Sequence, residues 1–493
     1  MKRLFLAIML TASAAAYATD VTTSAAGTLQ SVLDAEPSTV TTLSVSGPIN
    51  ASDLHFIAAL PSITTLDLSK ASIVEETNSR LATNHSAYKA DQLPAYILAG
   101  GKFSTVILPA SLVEIGDGAL MSTAITSVTI PASVKKIGRG ALADCRNLKQ
   151  LTVPSTVTVA GSHMCDGDVA LSAVTFGPGE VPAYAFRGCT SLSGFEGSPA
   201  VIGDYAFAGC TALKAFTFPA GLASTGTGAF YNTGLYTADL GACRKLNTLG
   251  DYMFAHCAAL TSVRLPEGLK TIGEGAFFAD DALKALNIPS TVTSLDDFSL
   301  KGTRALDSST GLLSDGVNSI GRYGMAGMES LKSVMIPDAL ASIDDYGMAG
   351  MQSLQSIDAR RATEVPATGT AVWDGVDGSK VNLYVNPSME NSFLAAGQWN
   401  EFNIVSAGIE QIEADAAGTA PSINLAIQGT DLVISADTAI GSAAVFDITG
   451  VRLMEAAGTG SASLTLSLGD LTPQVLILTV TAGGNAETFK IAR

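Results

Sequence analysis

Charge is scarce in this 493-residue chain, and positive charge is scarcest. Only 15% of residues are charged, with 28 Lys plus Arg against 45 Asp plus Glu. A net charge of −17 repels phosphate, which argues against nucleic acid and anionic membrane surfaces as partners. The four histidines, His55, His85, His163 and His256, never reach metal-ligand spacing with one another, and His163 near Cys165 is a weak signal. Asp166-Gly-Asp168 and Asp374-Gly-Val-Asp377 lack the terminal Glu of a calcium loop and read as turns. Gly226-Thr-Gly228 lacks the Lys of a phosphate loop. No nucleophile–base arrangement emerges, so no catalysis, metal or cofactor is expected. Long apolar runs are also missing beyond Leu4–Ala16, which falls short of the roughly 20 residues that span a bilayer.

What the chain has is 47% hydrophobic residues, 48 glycines and a repeat. ITSVTIPASVKKIGRGALADCRNL (125–148) recurs as VTFGPGEVPAYAFRGCTSL, FEGSPAVIGDYAFAGCTAL and VRLPEGLKTIGEGAFFADDAL. Anchored on the large residue near the end, the series is Leu98, Leu120, Leu142, Met164, Phe186, Phe207, Phe230, Phe254, Phe277, Leu300, Met325 and Met348, at intervals of 21 to 25 residues. Such a period is the signature of a solenoid, in which stacked coils share one core. Each coil is expected to have three sides. The first is an alternating strand closed by Pro, the second a short strand ending in Ile-Gly, with Gly for a positive φ. The third, G-x-A-F-x-x-C, reads as a helical turn burying Phe and Cys. Phe186, Phe207 and Phe230 should stack on one another.

Residues 1–18 read as a signal peptide: Lys2 and Arg3, an apolar segment, then Ala16-Tyr-Ala18 as the cleavage pattern. An N-terminal cap is expected over 19–40, with Leu29, Val32 and Leu33 on one helical face. The solenoid is expected over 41–361, interrupted by polar insertions at 74–93 and 306–318. A C-terminal cap carrying Trp399 and Phe402 follows over 362–406. A linker occupies 407–421, and 422–493 shows six or seven short strands that suggest a β-sandwich. Cys145, Cys189, Cys210 and Cys257 fall at equivalent inward positions of different coils, which argues for free buried thiols rather than disulfides. Cys165 and Cys243 lie off that register.

The pattern I-P-x-x-V-x-x-I-G-x-x-A-[LF]-x-x-C-x-x-L resembles the BspA-type leucine-rich repeats of bacterial cell-surface proteins. The resemblance implies a mostly β, α/β-type right-handed leucine-rich repeat solenoid and an exported protein, at the outer cell surface or extracellular, without shared catalytic residues. Val445-Phe-Asp-Ile-Thr-Gly450-Val-Arg452, the Leu466–Leu471 stretch and the Lys490–Arg493 end resemble the C-terminal sorting domain of type IX secretion substrates. Pro473-Gln-Val475 departs from that pattern, and a plain accessory β domain is the other reading.

With no chemistry in view, the surface carries the functional expectation. The outward residues of the first strands, Thr129, Gln150, Thr152, Thr175, Thr217, Asp239, Arg264, Asn287 and Met335, form a small polar face suited to a protein ligand, from host matrix or a bacterial surface. Ile107 and Met335 are its apolar exceptions. The chain is expected to act as a monomer in adhesion or protein interaction. Two alternatives stand: a carbohydrate-binding module, which that face lacks the aromatic platforms to favour, and an enzyme with its site in the insertions.

Overall fold

A computed structural model describes residues 17–33, 37–76, 88–307, 312–406, 409–412, 423–428, 431–447, 452–468, 475–483 and 485–492. The residues before Tyr17, 77–87 of the first insertion, 308–311 of the second and most of the linker lie outside these. The chain divides into two units, Met1–Leu331 with Ser342–Ser353 and Gly369–Val376, and Lys332–Ala341 with Leu354–Thr368 and Asp377–Arg493.

The first unit is a parallel β-solenoid. Its first side forms an eight-stranded sheet: Tyr17–Thr22, Val40–Ile49, Thr65–Ile73, Thr105–Ile107, Ser127–Thr129, Gln150–Val153, Ala173–Phe176 and Gly194–Gly197. The ladder begins a coil earlier than Leu43. Asp20 pairs with Ser44 and Val21 with Val45, so part of the segment read as a cap is itself a strand. Leu29 is buried in a helix at Leu29–Val32, but Val32 is exposed, so the apolar face there is narrower than its spacing implies. Farther along, Thr237–Asp239, Ser262–Arg264 and Ala285–Asn287 make a three-stranded sheet. Between Gly197 and Thr237 no strand forms on the first side, although Val201–Ile202 and Ser224–Thr225 pair on the second. There Phe216 and Phe218 pack against each other and against Phe230, at ring separations of 4.9 to 5.2 Å.

The core is a set of columns. The rings of Phe186, Phe207, Phe230, Phe254 and Phe277 stack in sequence at 5.2 to 5.9 Å, within 24° of parallel, and all are fully buried. From Leu98 to Met325 each anchor's N–H donates to the carbonyl one residue before the next coil's anchor, at 2.8–3.0 Å. This rule corrects one assignment. Leu142 donates to Met164 O and Cys165 to Ala185 O, so Cys165 is the anchor of its coil and Met164 precedes it.

Glycine after the second strand has a different role from the one its turn suggests. Gly138, Gly203 and Gly273 are not in the left-handed region. A Cβ on Gly138 would lie 2.5 Å from Asp117 N, and one on Gly203 would lie 2.5 Å from Ala183 N. The preceding coil leaves no room for a side chain. The third side is a run of turns with left-handed residues at two positions, and no helical turn forms there among the described residues.

In the second unit, Ser333–Met335, Ser356–Ala359, Asn382–Val385 and Asn403–Ser406 form a parallel four-stranded sheet. Glu364–Val405 therefore leaves the sequence period yet adds two rungs to a ladder. Trp399 is buried beside Phe393 and donates Nε1–H to Pro366 O at 3.0 Å. The C-terminal region is antiparallel, a five-stranded and a three-stranded sheet sharing a core of Leu432, Ile434, Val445, Leu466, Leu478 and Phe489.

Phe207→Ala is expected to cost about 3–5 kcal/mol, read from the denaturant midpoint, while Phe207→Leu, the residue type of the early coils, loses much less. Gly203→Ala should cost about 1–3 kcal/mol by overpacking, whereas Gly221→Ala, where a Cβ meets nothing within 4 Å, should be close to neutral.

Candidate functional site

Alternation along each first strand turns every second side chain outward. Thr129, Gln150, Thr152 and Thr175 are exposed on the eight-stranded sheet, and Asp239, Arg264 and Asn287 on the three-stranded one. Thr217 is exposed but lies in the coil whose first side forms no strand, so it belongs to neither sheet. Met335 is half-buried on a strand of the second unit. Ile107 is exposed. Over the three-stranded sheet a shallow groove of about 470 Å³ is lined by Thr237–Asp239, Ser262–Arg264 and Ala285–Asn287. Arg264 and Asp239 stand 3.8 Å apart with both side chains mostly in water, so the pair adds about 0–1 kcal/mol and stays available to a ligand.

Three residues past each anchor runs a buried column of small polar side chains, including Thr123, Cys145, Asp168, Cys189, Cys210, Thr233, Cys257, Asp280 and Thr303. Each Cys Sγ donates to the anchor carbonyl of the preceding coil: Cys145 to Leu120, Cys189 to Cys165, Cys210 to Phe186 and Cys257 to Phe230, at 3.1–3.2 Å. All six cysteines are free and buried. Burial pushes the Cys145 and Cys257 thiols up to about 12. A thiol so protonated is neither nucleophile nor metal ligand. Asp168 and Asp280 accept the N–H of Cys145 and Cys257 at 2.7 Å through Oδ1, and Oδ2 of each has no hydrogen-bond partner. Burial raises both carboxyls well above the ordinary carboxylate range.

A second column, half-buried except at the exposed Tyr96, has no counterpart in the expectations from sequence. Two residues before the anchor stand Tyr96, His163, Tyr184, Tyr205, Tyr252, Phe298, Tyr323 and Tyr346, every one left-handed at φ between +51° and +60°. Gly118, Gly140, Gly228 and Gly275 hold the same position in the remaining coils, at +56° to +59°. His163 stacks on Tyr184 at 4.6 Å, Tyr184 on Tyr205 at 5.4 Å, and Tyr323 on Tyr346 at 4.9 Å. The signal was present as P-A-Y-A-F, G-D-Y-A-F and D-D-Y-G-M, each with an aromatic two before the anchor. Beside this column a ladder of carboxylates links coils. Asp117, Asp204, Asp251 and Asp297 accept the N–H of Arg139, Thr227, Glu274 and Arg322 at 2.8–3.0 Å. Asp296 is half-buried, and burial with its acidic neighbours raises its carboxyl.

Comparison with known proteins settles the family. The pattern of the BspA type leucine rich repeat region matches residues 86–193, 179–307 and 309–370, more than half of the chain, in 6 copies. The chain belongs to the BspA-type leucine-rich repeat family. No curated protein sequence matches it. A leucine-rich repeat protein from Bacteroides ovatus is similar in structure, 20% identical, with a TM-score of 0.53 over 70% of this chain and 88% of that one. A leucine rich cell surface protein from Faecalibacterium prausnitzii is 18% identical over 62% and 87%, with a TM-score of 0.32. The pneumococcal vaccine antigen PcpA is 15% identical over 74% and 79%, also with a TM-score of 0.32. The family identification covers the repeat, and BspA-type repeats are typically interaction or surface modules, in general without catalysis. No helix among the described residues is long and apolar enough to cross a membrane.

Asp168 and Asp280 make the stability of this BspA-type array pH-dependent with a definite sign. Their folded pKa lies above the unfolded value of about 4, so the folded chain keeps protons that the unfolded chain has lost. Stability is full below that value and falls as pH rises toward the folded pKa. In Asp168→Asn/Asp280→Asn, the melting temperature relative to the parent should rise between about pH 4 and pH 7. A pH-independent difference would show that both carboxyls titrate normally.

Proposed function

We propose that the chain is an exported interaction or adhesion protein that binds a protein ligand, from host matrix or a bacterial surface, through the outward face of its first strands. The observation that carries this reading is the groove over Thr237–Asp239, Ser262–Arg264 and Ala285–Asn287, where a solvated Arg–Asp pair and an Asn stand on a rigid sheet. Such a face offers hydrogen bonds and charge without the cost of ordering a loop. Thr129, Gln150, Thr152 and Thr175 extend the same kind of surface over the eight-stranded sheet. The protein acts without catalysis or cofactor, as a monomer. Support for export comes from the Lys2–Ala18 signal pattern, and support for a type IX sorting role for 422–493 comes from Val445–Asp447 and the antiparallel sheets around it. Residues 448–451 of that motif lie outside the described ones.

The carbohydrate reading gains the aromatic column, but rings stacked at 4.6 to 5.4 Å cover one another's faces, the surfaces on which a sugar would lie. Protein binding remains the better fit.

The combined variant Asp239→Ser, Arg264→Glu and Asn287→Ala should keep its circular dichroism and melting temperature. Capture of the chain on immobilised matrix proteins or whole bacteria, read by surface plasmon resonance, should weaken by about tenfold or more. Undiminished capture would move the ligand to another face.

A further inference from the structure

The half-buried aromatic column contains one place that is unlike the rest. At three of its four glycines the aromatic ring of the preceding coil lies directly over the glycine. A Cβ on Gly118 would be 2.3 Å from the Tyr96 ring, on Gly228 2.5 Å from Tyr205, and on Gly275 2.4 Å from Tyr252. Gly140 has no ring above it, and the nearest atoms to a Cβ there are Ala143 Cβ at 3.7 Å and His163 O at 3.9 Å. Two successive coils carry glycine at this position, so two rings are missing between Tyr96 and His163.

A pocket of about 370 Å³ opens there, lined by Tyr96, Met121, Arg139, Ala143, Asp144 and His163 among others. Its two ends are aromatic. Tyr96 is 61% exposed, far more than a tyrosine satisfied by its neighbours requires. His163 is held rigidly, with Nδ1 2.8 Å from Asp166 Oδ2, its ring stacked on Tyr184, and Asp166 clamped by Arg187 at 2.6 and 3.0 Å. On the rim, Asp144 is 3.4 Å from Arg146, whereas the guanidinium of Arg139 is exposed and pairs with no carboxylate among the described residues. In a chain of net charge −17 an unpaired cation beside an aromatic slot favours an anionic partner group.

We propose that this pocket receives an aromatic side chain of a protein partner, seated over Gly140 against the Tyr96 ring, with a carboxylate adjacent to it meeting Arg139. The column itself shows that a ring fits this rung, since every neighbouring coil without glycine places one there at the same backbone angle. Rigid walls on both sides keep the ordering cost low, and ring-on-ring contact adds to the area buried. The pocket lies on the turn side of the coil, apart from the first-strand face, so it goes beyond the function proposed above.

The test uses the full chain with N-acetyl-L-tryptophan and its amide as probes, by calorimetry and saturation-transfer NMR. Both probes should bind, the carboxylate form more tightly, and Arg139→Gln should erase the difference. Tyr96→Ala should weaken binding by about tenfold. Gly140→Tyr supplies the absent ring from within, and Tyr already occupies this angle in six coils. That variant should hold or raise the melting temperature while abolishing binding. If it fails to fold, Tyr96→Ala decides alone. Absence of saturation transfer to either probe, binding unchanged in Tyr96→Ala, or displacement by cello-oligosaccharides at lower concentration would each overturn the proposal. The groove variant at Asp239, Arg264 and Asn287 should bind the probes as the parent does, which separates this site from the strand face.

Discussion

Backbone groups along a coil of about 22 residues have few partners within that coil, because each side is too short to close its own hydrogen bonds. Nearly every rung is completed by the neighbouring winding: strand to strand on two sides, and on the third the anchor N–H to the carbonyl before the next anchor. An unpaired buried amide costs about 1–3 kcal/mol, so the spacing between windings is held at every corner at once. That common spacing dictates which side chains each position accepts.

Three responses to it recur. Where backbones approach most closely, after the second strand, glycine recurs, and Asp296 and Asp344, which stand there instead, help line an acidic groove of about 430 Å³. Where the anchor points inward, rings stack face to face, and smaller Leu or Met serves at the ends of the array. Where the turn needs left-handed backbone, the aromatic side chains that accept it lie flat on their neighbours. Left-handed backbone costs a non-glycine residue of order 1–3 kcal/mol, and stacking offsets part of that. Carboxylates one residue before that left-handed position tie one winding to the following one, as Asp204 does to Thr227 N.

The period, the inward Phe series and the four aligned cysteines were legible in the sequence because they depend only on spacing and bulk. Register at Met164-Cys165 was not, since both residues are apolar and buried and only the hydrogen-bond partner distinguishes them. Glycine after Ile looked like a turn residue because a turn and a steric limit leave the same letter. Thr217 fits the strand pattern, but the crowd of rings from Phe195 to Phe230 displaces the strand itself. The Tyr96–Tyr346 column leaves no strand-like alternation in the sequence, because this surface rises from turns. Two extra rungs at Asn382–Val385 and Asn403–Ser406 carry no repeat signature, since a strand needs only alternation to add to an edge.

The buried thiols carry one further consequence. Each of the six sulfurs is used as a small packing group, five of them donating to the winding before, and none is joined to another. The fold thus contains no disulfide to be formed, and its stability draws on no sulfur–sulfur link that a reducing environment could break.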